Sequence, residues 1–287
     1  YLNFLLLFFY TIFYPGFFEE NLKTFFLTKL NFLNLFIISS LVFLLGIYDD
    51  KKNLNANLKL VALIILTYFL LKSDENVIIE NIKFVTINFD LNLHSFSIFL
   101  TILCFVLFIN ASNMYDGIDL QIGPYFIFIF LIFIFKLKLL LFSVTFLIPL
   151  LVFCYLNFNG KIFIGNSGAY FVSFIIAFIF VKQNNLYSII STEEIFLAMS
   201  IPGLDMFRLF IYRILKKRNP FSADKKHLHH YLLSNFNIRI SQIYIFVLNI
   251  SPFCFYQLFK SINVIFITII IYILIYFLLL KKTENDY

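Results

Sequence analysis

Five stretches of polar residues interrupt a chain that is otherwise mostly hydrocarbon, and their residue types could do chemistry. The densest is NASNMYDGID, residues Asn110 to Asp119, which holds two amides and two carboxylates with a glycine between the carboxylates. If the apolar helix before it runs on for a turn, Asn110, Asn113 and Asp116 share one face. Gly117 then lets the backbone turn away from the helix. Asp49 and Asp50 close an earlier apolar run in LLGIYDDKKNL. Neighbours on a helix stand about 100° apart, so one carboxylate faces the bundle and the other an aqueous mouth. In IFIGNSGAYFVSF, Gly165, Asn166, Ser167 and Gly168 open another apolar run. Small residues at a helix start expose backbone N–H groups that can hold a phosphate.

The last two stretches are basic. Asp205 and Arg208 lie three residues apart inside an apolar run, with Arg213 beyond them. Ionisable groups in such a place are functional candidates, and a local ion pair is the plainer alternative. RILKKRNPFSADKKHLHHYLL follows, where Lys216, Lys217, Arg218, Lys225 and Lys226 would attract phosphates. Pro220 and Ser222 can start a short helix that sets His227 and His230 on one face. The histidines lack the cysteines or the HExxH spacing of a zinc site, so phosphate oxygens suit them better. Carboxylates suited to Mg2+ and cations suited to phosphates make up the inventory for moving a phosphoryl group.

The elements that must position these groups are membrane helices. Of 287 residues, 61% are hydrophobic, 21% aromatic and only 13% charged, and the mean hydropathy is +0.91. A water-soluble core of this size could not hide so much apolar surface, so the fold class is an all-α polytopic integral membrane protein. About ten spans can be drawn, near residues 1–15, 30–48, 58–72, 95–112, 122–136, 138–158, 164–181, 193–215, 239–259 and 263–280. Pro15-Gly16 ends the first. Ile87, Phe89, Leu91 and Leu93 alternate with Asn88, Asp90 and Asn92, which predicts a short extracytoplasmic strand or β-hairpin. Cys104, Cys154 and Cys254 stand alone in apolar runs, against a disulfide framework or a thiolate metal site. The net charge of +6 belongs to loops beside lipid, not to a nucleic-acid surface. Most Lys and Arg fall on one side of the alternating spans, and every polar stretch above falls on that same, cytoplasmic side. No internal repeat or linker divides residues 1–287, which read as one membrane domain.

On these motifs the chain resembles the polyprenyl-phosphate N-acetylhexosamine-1-phosphate transferases, the WecA/MraY-like membrane enzymes. The matching pieces run in the family's order: GIYDDKKNLNANLKL, NASNMYDGID, FIGNSGAYFVSF, PGLDMFRLFIYRI and PFSADKKHLHHYLL. The HLHH form of the last is similar to the WecA-like branch. The resemblance implies transfer of sugar 1-phosphate from a UDP-N-acetylhexosamine to undecaprenyl phosphate, with release of UMP, at the cytoplasmic face of a bacterial inner membrane. It implies Mg2+, with Mn2+ able to replace it, and is compatible with a homodimer. By motif, Asp49, Asp50, Asp116 and Asp119 are the expected catalytic carboxylates, and Asp49, Asp116 and Asn166 the expected metal ligands. Asn110, Asn113, Gly165, Ser167, Arg213, His227, His229 and His230 are the expected substrate contacts. Three departures stand out. Asn166 replaces the family's metal-binding Asp in GNSGA, Leu120 replaces its glycine after the second Asp of the DGID stretch, and the first of about eleven spans is expected to be missing. A secondary transporter, or a relative that binds lipid or sugar nucleotide without turnover, are the other readings the sequence allows. The sugar is left open, as is the choice between direct attack by the lipid phosphate and a covalent aspartyl intermediate.

Overall fold

The computed structural model describes residues 1–14, 16–18, 22–220 and 226–285. Pro15, Ser222 and Lys225 from the sequence reading lie outside that set. The helices in chain order are α1 (Leu2–Phe13), α2 (Lys23–Phe26), α3 (Lys29–Lys52), α4 (Ala56–Ser73), α5 (Ser97–Tyr115), α6 (Ile122–Phe135), α7 (Leu140–Phe158), α8 (Gly165–Tyr187), α9 (Thr192–Leu215), α10 (Leu228–Asn235), α11 (Ile238–Phe259) and α12 (Asn263–Asn285). Among the described residues, eight helices are long and apolar enough to cross a membrane. The other two expected spans, α1 and α6, are apolar but shorter, at 12 and 14 residues.

The central element is α8. Every residue from Ala169 to Phe180 is buried, as befits a helix apolar on all sides. It packs most extensively on α3 and α5, and Gly46 of α3 is what lets it come so close. A Cβ at Gly46 would stand 2.3 Å from Ser167 Cα. Hydrocarbon replaces water around exposed side chains such as Leu44, Ile64, Phe69, Ile148 and Leu151.

The connections fix which ends of the helices meet. Asn53 ends α3 in the left-handed conformation (φ 48°) and Asn55 caps α4, accepting Asn57 N–H at 3.1 Å. This tight reversal brings the start of α4 beside the carboxylates that end α3. The far ends carry the expected hairpin: β1 (Asn81–Phe84) pairs antiparallel with β2 (Phe89–Asn92), Asn81 opposite Asn92 and Phe84 opposite Phe89. Alternation in the sequence had pointed to residues 87–93, but only 89–92 are strand. Asn88 spends its left-handed φ (49°) on the turn, and both faces of β2 are exposed. Thr86 holds the hairpin to α9, its N–H and hydroxyl donating to Glu193 Oε1 at 3.0 and 2.9 Å.

Candidate active site

Asp49 and Asp50 do part company, as their 100° offset requires. Asp49 is fully buried at the end of α3. Its Oδ1 accepts Leu54 N–H at 2.9 Å, and its Oδ2 accepts the Tyr170 hydroxyl at 3.0 Å and the Lys59 ammonium at 2.8 Å. These donors offset the cost of burying the carboxylate, which alone would be several kcal/mol. Asp49 was expected to ligate a metal, and in the structure its two oxygens are engaged by these three donors. Asp50 is exposed and turns to α8, where it accepts the N–H groups of Asn166 at 2.8 Å and Ser167 at 3.1 Å. The helix start expected to hold a phosphate through Gly165 and Ser167 is therefore capped by the chain's own carboxylate. Gly165 sits beneath it at φ +67°, where a side chain would be strained.

The end of α5 places the second motif. Asn110 Nδ2 donates to Val106 O at 2.7 Å, and Asn113 Nδ2 donates to Asn166 Oδ1 at 2.6 Å. The helix stops at Tyr115, and Asp116 stands at its end. Gly117 does not make the turn by a left-handed backbone; Leu120 does, at φ 59°. Gly117 instead gives space, since a Cβ there would lie 2.0 Å from His229 Nε2. Asn157 of α7 staples the turn, donating to Asp119 Oδ1 and Ile162 O at 2.8 Å and accepting Leu120 N–H at 2.7 Å. Asp116 has no donor among the described residues. Burial first, then repulsion from Asp119, pushes its carboxyl up to about 6.

The histidines complete the arrangement. Helix α10 begins only after His227, so His227 and His230 are not two residues of one helical face. His227 and His229 stack nearly parallel instead, centroids 5.4 Å apart, with His230 at 4.2 Å from His229. His227 Nδ1 lies 2.8 Å from Asp205 Oδ2. Burial, with His230 and His227 adding to it, pushes His229 down to about 3, so this ring is neutral at pH 7.

A cavity of about 360 Å3 lies between these parts. Asn110, Asn113, Met114 and Gly117 form one wall, and Ala56, Lys59 and Tyr170 another. His227, His229 and His230 close it. Asp49 stands directly behind Lys59 and Tyr170. Arg213, expected here, is buried elsewhere with Nη1 donating to Pro220 O at 2.6 Å. Lys59 and Tyr170 were missed by the sequence reading, although a signal existed for Lys59. After a short connection, the first turn of a returning helix must lie beside the end of the helix before it.

A glycosyl transferase family 4 profile matches residues 32–184, from α3 almost to the end of α8. The chain belongs to glycosyl transferase family 4. It is 28% identical over 250 residues to the probable undecaprenyl-phosphate N-acetylglucosaminyl 1-phosphate transferase of Bacillus subtilis, covering 83% of this chain and 68% of that one. It is 26% identical to the undecaprenyl-phosphate alpha-N-acetylglucosaminyl 1-phosphate transferase of Thermotoga maritima over 199 residues, 68% of this chain and 60% of that one. To the Escherichia coli protein of that name it is 24% identical over 168 residues, 54% of this chain and 46% of the relative. The chain thus spans from about half to two thirds of the length of these family 4 relatives.

The donors left for a divalent cation are few. Among the described residues no three His, Cys, Asp or Glu cluster as a metal site. Asn166 Oδ1 already accepts from Asn113. Asp116 fits: its carboxylate is half-buried, repelled by Asp119 and without a donor among the described residues. Mg2+ needs no more than one or two carboxylates, with substrate oxygens and water filling its other positions.

Proposed function

We propose that this family 4 protein transfers N-acetylhexosamine 1-phosphate from a UDP-sugar to undecaprenyl phosphate, at a site open to the cytoplasm of a bacterial inner membrane. Overall, one P–O bond forms between the lipid phosphate and the sugar-bearing phosphorus. The bond from that phosphorus to UMP breaks, and UMP leaves with the electron pair. The names of the relatives support the coarser part, transfer of a sugar 1-phosphate to undecaprenyl phosphate. The observation that carries the reading is the cavity at one end of the bundle, where a paired lysine, two amides and three histidines face the same space.

Each group has work there. Lys59, oriented by Asp49, offers an ammonium to a phosphate oxygen while staying charge-balanced from behind. Asn110 and Asn113 present amides at the wall, suited to hydrogen-bonding a uracil or an N-acetyl group. His227 and His230 offer ring nitrogens, and neutral His229 packs against Gly117 and spaces the other two. A divalent cation held by Asp116, with Asp119 beside it, would supply neutralising charge to the diphosphate as it is split. The test is transfer of radiolabelled sugar phosphate to undecaprenyl phosphate by the purified protein, with a panel of UDP-sugars. Product is expected from at least one UDP-N-acetylhexosamine with Mg2+ or Mn2+ and none in EDTA. Undiminished transfer in EDTA would remove the cation from the scheme, and no transfer from any of the panel would remove the reading.

A further inference from the structure

Asp205 lies in α9, outside the cavity wall and 1% exposed, and it gathers four donors. Its Oδ1 accepts Arg208 Nη2 at 2.8 Å, the Tyr272 hydroxyl at 2.9 Å and Leu228 N–H at 3.1 Å. Its Oδ2 faces His227 Nδ1 at 2.8 Å. Arg208 is fixed in turn: Nε donates to the Tyr272 hydroxyl at 3.1 Å, Nη2 donates to Lys226 O at 2.6 Å, and the guanidinium lies 4.0 Å from the Tyr276 ring centroid. One carboxylate and its arginine thus hold both the backbone on either side of His227 and the ring itself.

We propose that Asp205 is a positioning residue for His227, fixing the ring with a proton on Nδ1 so that Nε2 is the nitrogen presented to a substrate phosphate. This rests on the phosphoryl-transfer reading above. The reason is donor and acceptor arithmetic. A carboxylate kept ionised by a guanidinium at 2.8 Å can only accept, so the ring nitrogen facing it must carry the hydrogen. The other ring nitrogen then belongs to the cavity that His227 lines. Three of the four donors reach Oδ1, and the ring alone of the four reaches Oδ2. A side-chain amide can still accept at the first position, though without the charge that pairs Arg208, but presents an N–H in place of the second, and so reverses the ring's proton. A carboxylate that merely stapled α10 to α9 would not need this division.

The experiment uses histidine labelled with 15N, because the chain has four histidines and variants at His227, His229 and His230 assign them. In the parent protein His227 should show a protonated Nδ1, and adding UDP should shift its Nε2 resonance. In Asp205→Asn the Nδ1 proton should be lost or exchange between the two nitrogens. A parent His227 protonated on Nε2 alone, or an Nε2 unmoved by saturating UDP, overturns the proposal. This readout is independent of turnover, so failure of the transferase reading would show separately, as absent product. In the transfer assay Asp205→Asn should lower kcat about 10- to 100-fold, the range of lost outer-shell support. The same change in a His227→Gln background should cost no more than about twofold, because its target is gone. Equal losses in both backgrounds would make Asp205 a structural staple and overturn the proposal.

Discussion

Replacing Asp116 by Asn should make the protein more stable and nearly inactive. The carboxylate ends α5 half-buried, without a donor among the described residues and with Asp119 nearby, which raises it from 3.8 to about 6. The folded protein therefore holds this proton up to about pH 6, while the unfolded chain releases it near pH 4. Ionisation penalises the fold increasingly between those values and fully above them. A shift of about two units at about 1.36 kcal/mol each gives roughly 3 kcal/mol. Its partial exposure lets solvent screen part of it, leaving about 2 kcal/mol. For a chain of this size that is on the order of 4–8 °C in Tm.

Fluorescence-detected size-exclusion chromatography of heated samples can measure the effect in detergent. Asp116→Asn should melt several degrees above the parent at pH 8 without divalent cations, and the gap should fall to roughly a third at pH 4.5. Mg2+ should then raise the parent's Tm at pH 8 and leave the variant's unmoved, since a cation stabilises only the form that binds it. Transfer should drop by orders of magnitude. If the variant melts no higher than the parent at pH 8, or if Mg2+ shifts both equally, the uncompensated charge is not where we place it.

Lys59→Met should leave buried Asp49 without its counter-ion and cost about 3–5 kcal/mol, seen as a loss of monodisperse protein. Adding Asp49→Asn should restore the yield but not the transfer. Gly117→Ala puts a Cβ 2.0 Å from His229 Nε2, so the ring must move. Transfer should fall at least about tenfold while stability falls by only about 1–3 kcal/mol, the usual range for overpacking. Leu120→Gly relieves a left-handed φ of 59° that a leucine adopts at a cost of about 1 kcal/mol. A Tm rise of roughly 2–4 °C with transfer retained is expected. A fall in Tm would mean that the leucine side chain contributes more than its backbone costs.

Helix order and the membrane class were legible because apolar runs of bilayer length carry their own signal. So was the convergence of motifs on one face, since alternating spans fix which loops share a side. What could not be read was which atom meets which. Asp50 reads as a catalytic carboxylate next to Asp49, yet three-dimensional proximity sends it to the N–H groups of Asn166 and Ser167, 116 and 117 residues later. Gly117 reads as a turn glycine, whereas the structure uses it as empty space for a ring that follows it by more than a hundred residues. The Lys59 pairing was within reach, because a three-residue connection after α3 leaves the first turn of α4 nowhere else to go. Tyr170 was not, since nothing local marks it as the partner of a carboxylate 121 residues earlier.

Two carboxylates at the hairpin end of the bundle are saturated, and Asp116 at the other end is not. At the hairpin end, Lys182 pairs with Asp74 in full burial, ringed by Phe25, Phe26 and Phe178. Glu194 there accepts from Lys136, from Gln257 at 2.8 Å and from Lys260 at 3.1 Å, and closes a capping box with Ser191. Those carboxylates are saturated, and their value is a rigid end that keeps the helices in register. At the other end, among the described residues, Asp116 lacks a donor and His229 Nδ1 is buried with no partner. Leu120 holds a conformation suited to glycine. Unmet groups and left-handed residues occur at the hairpin end as well, where Glu193 Oε2 is buried without a partner among the described residues and Asn88 has φ 49°. What sets Asp116 apart is its charge: a half-buried carboxylate repelled by Asp119 is relieved by a cation supplied from outside, whereas a neutral orphaned group is not.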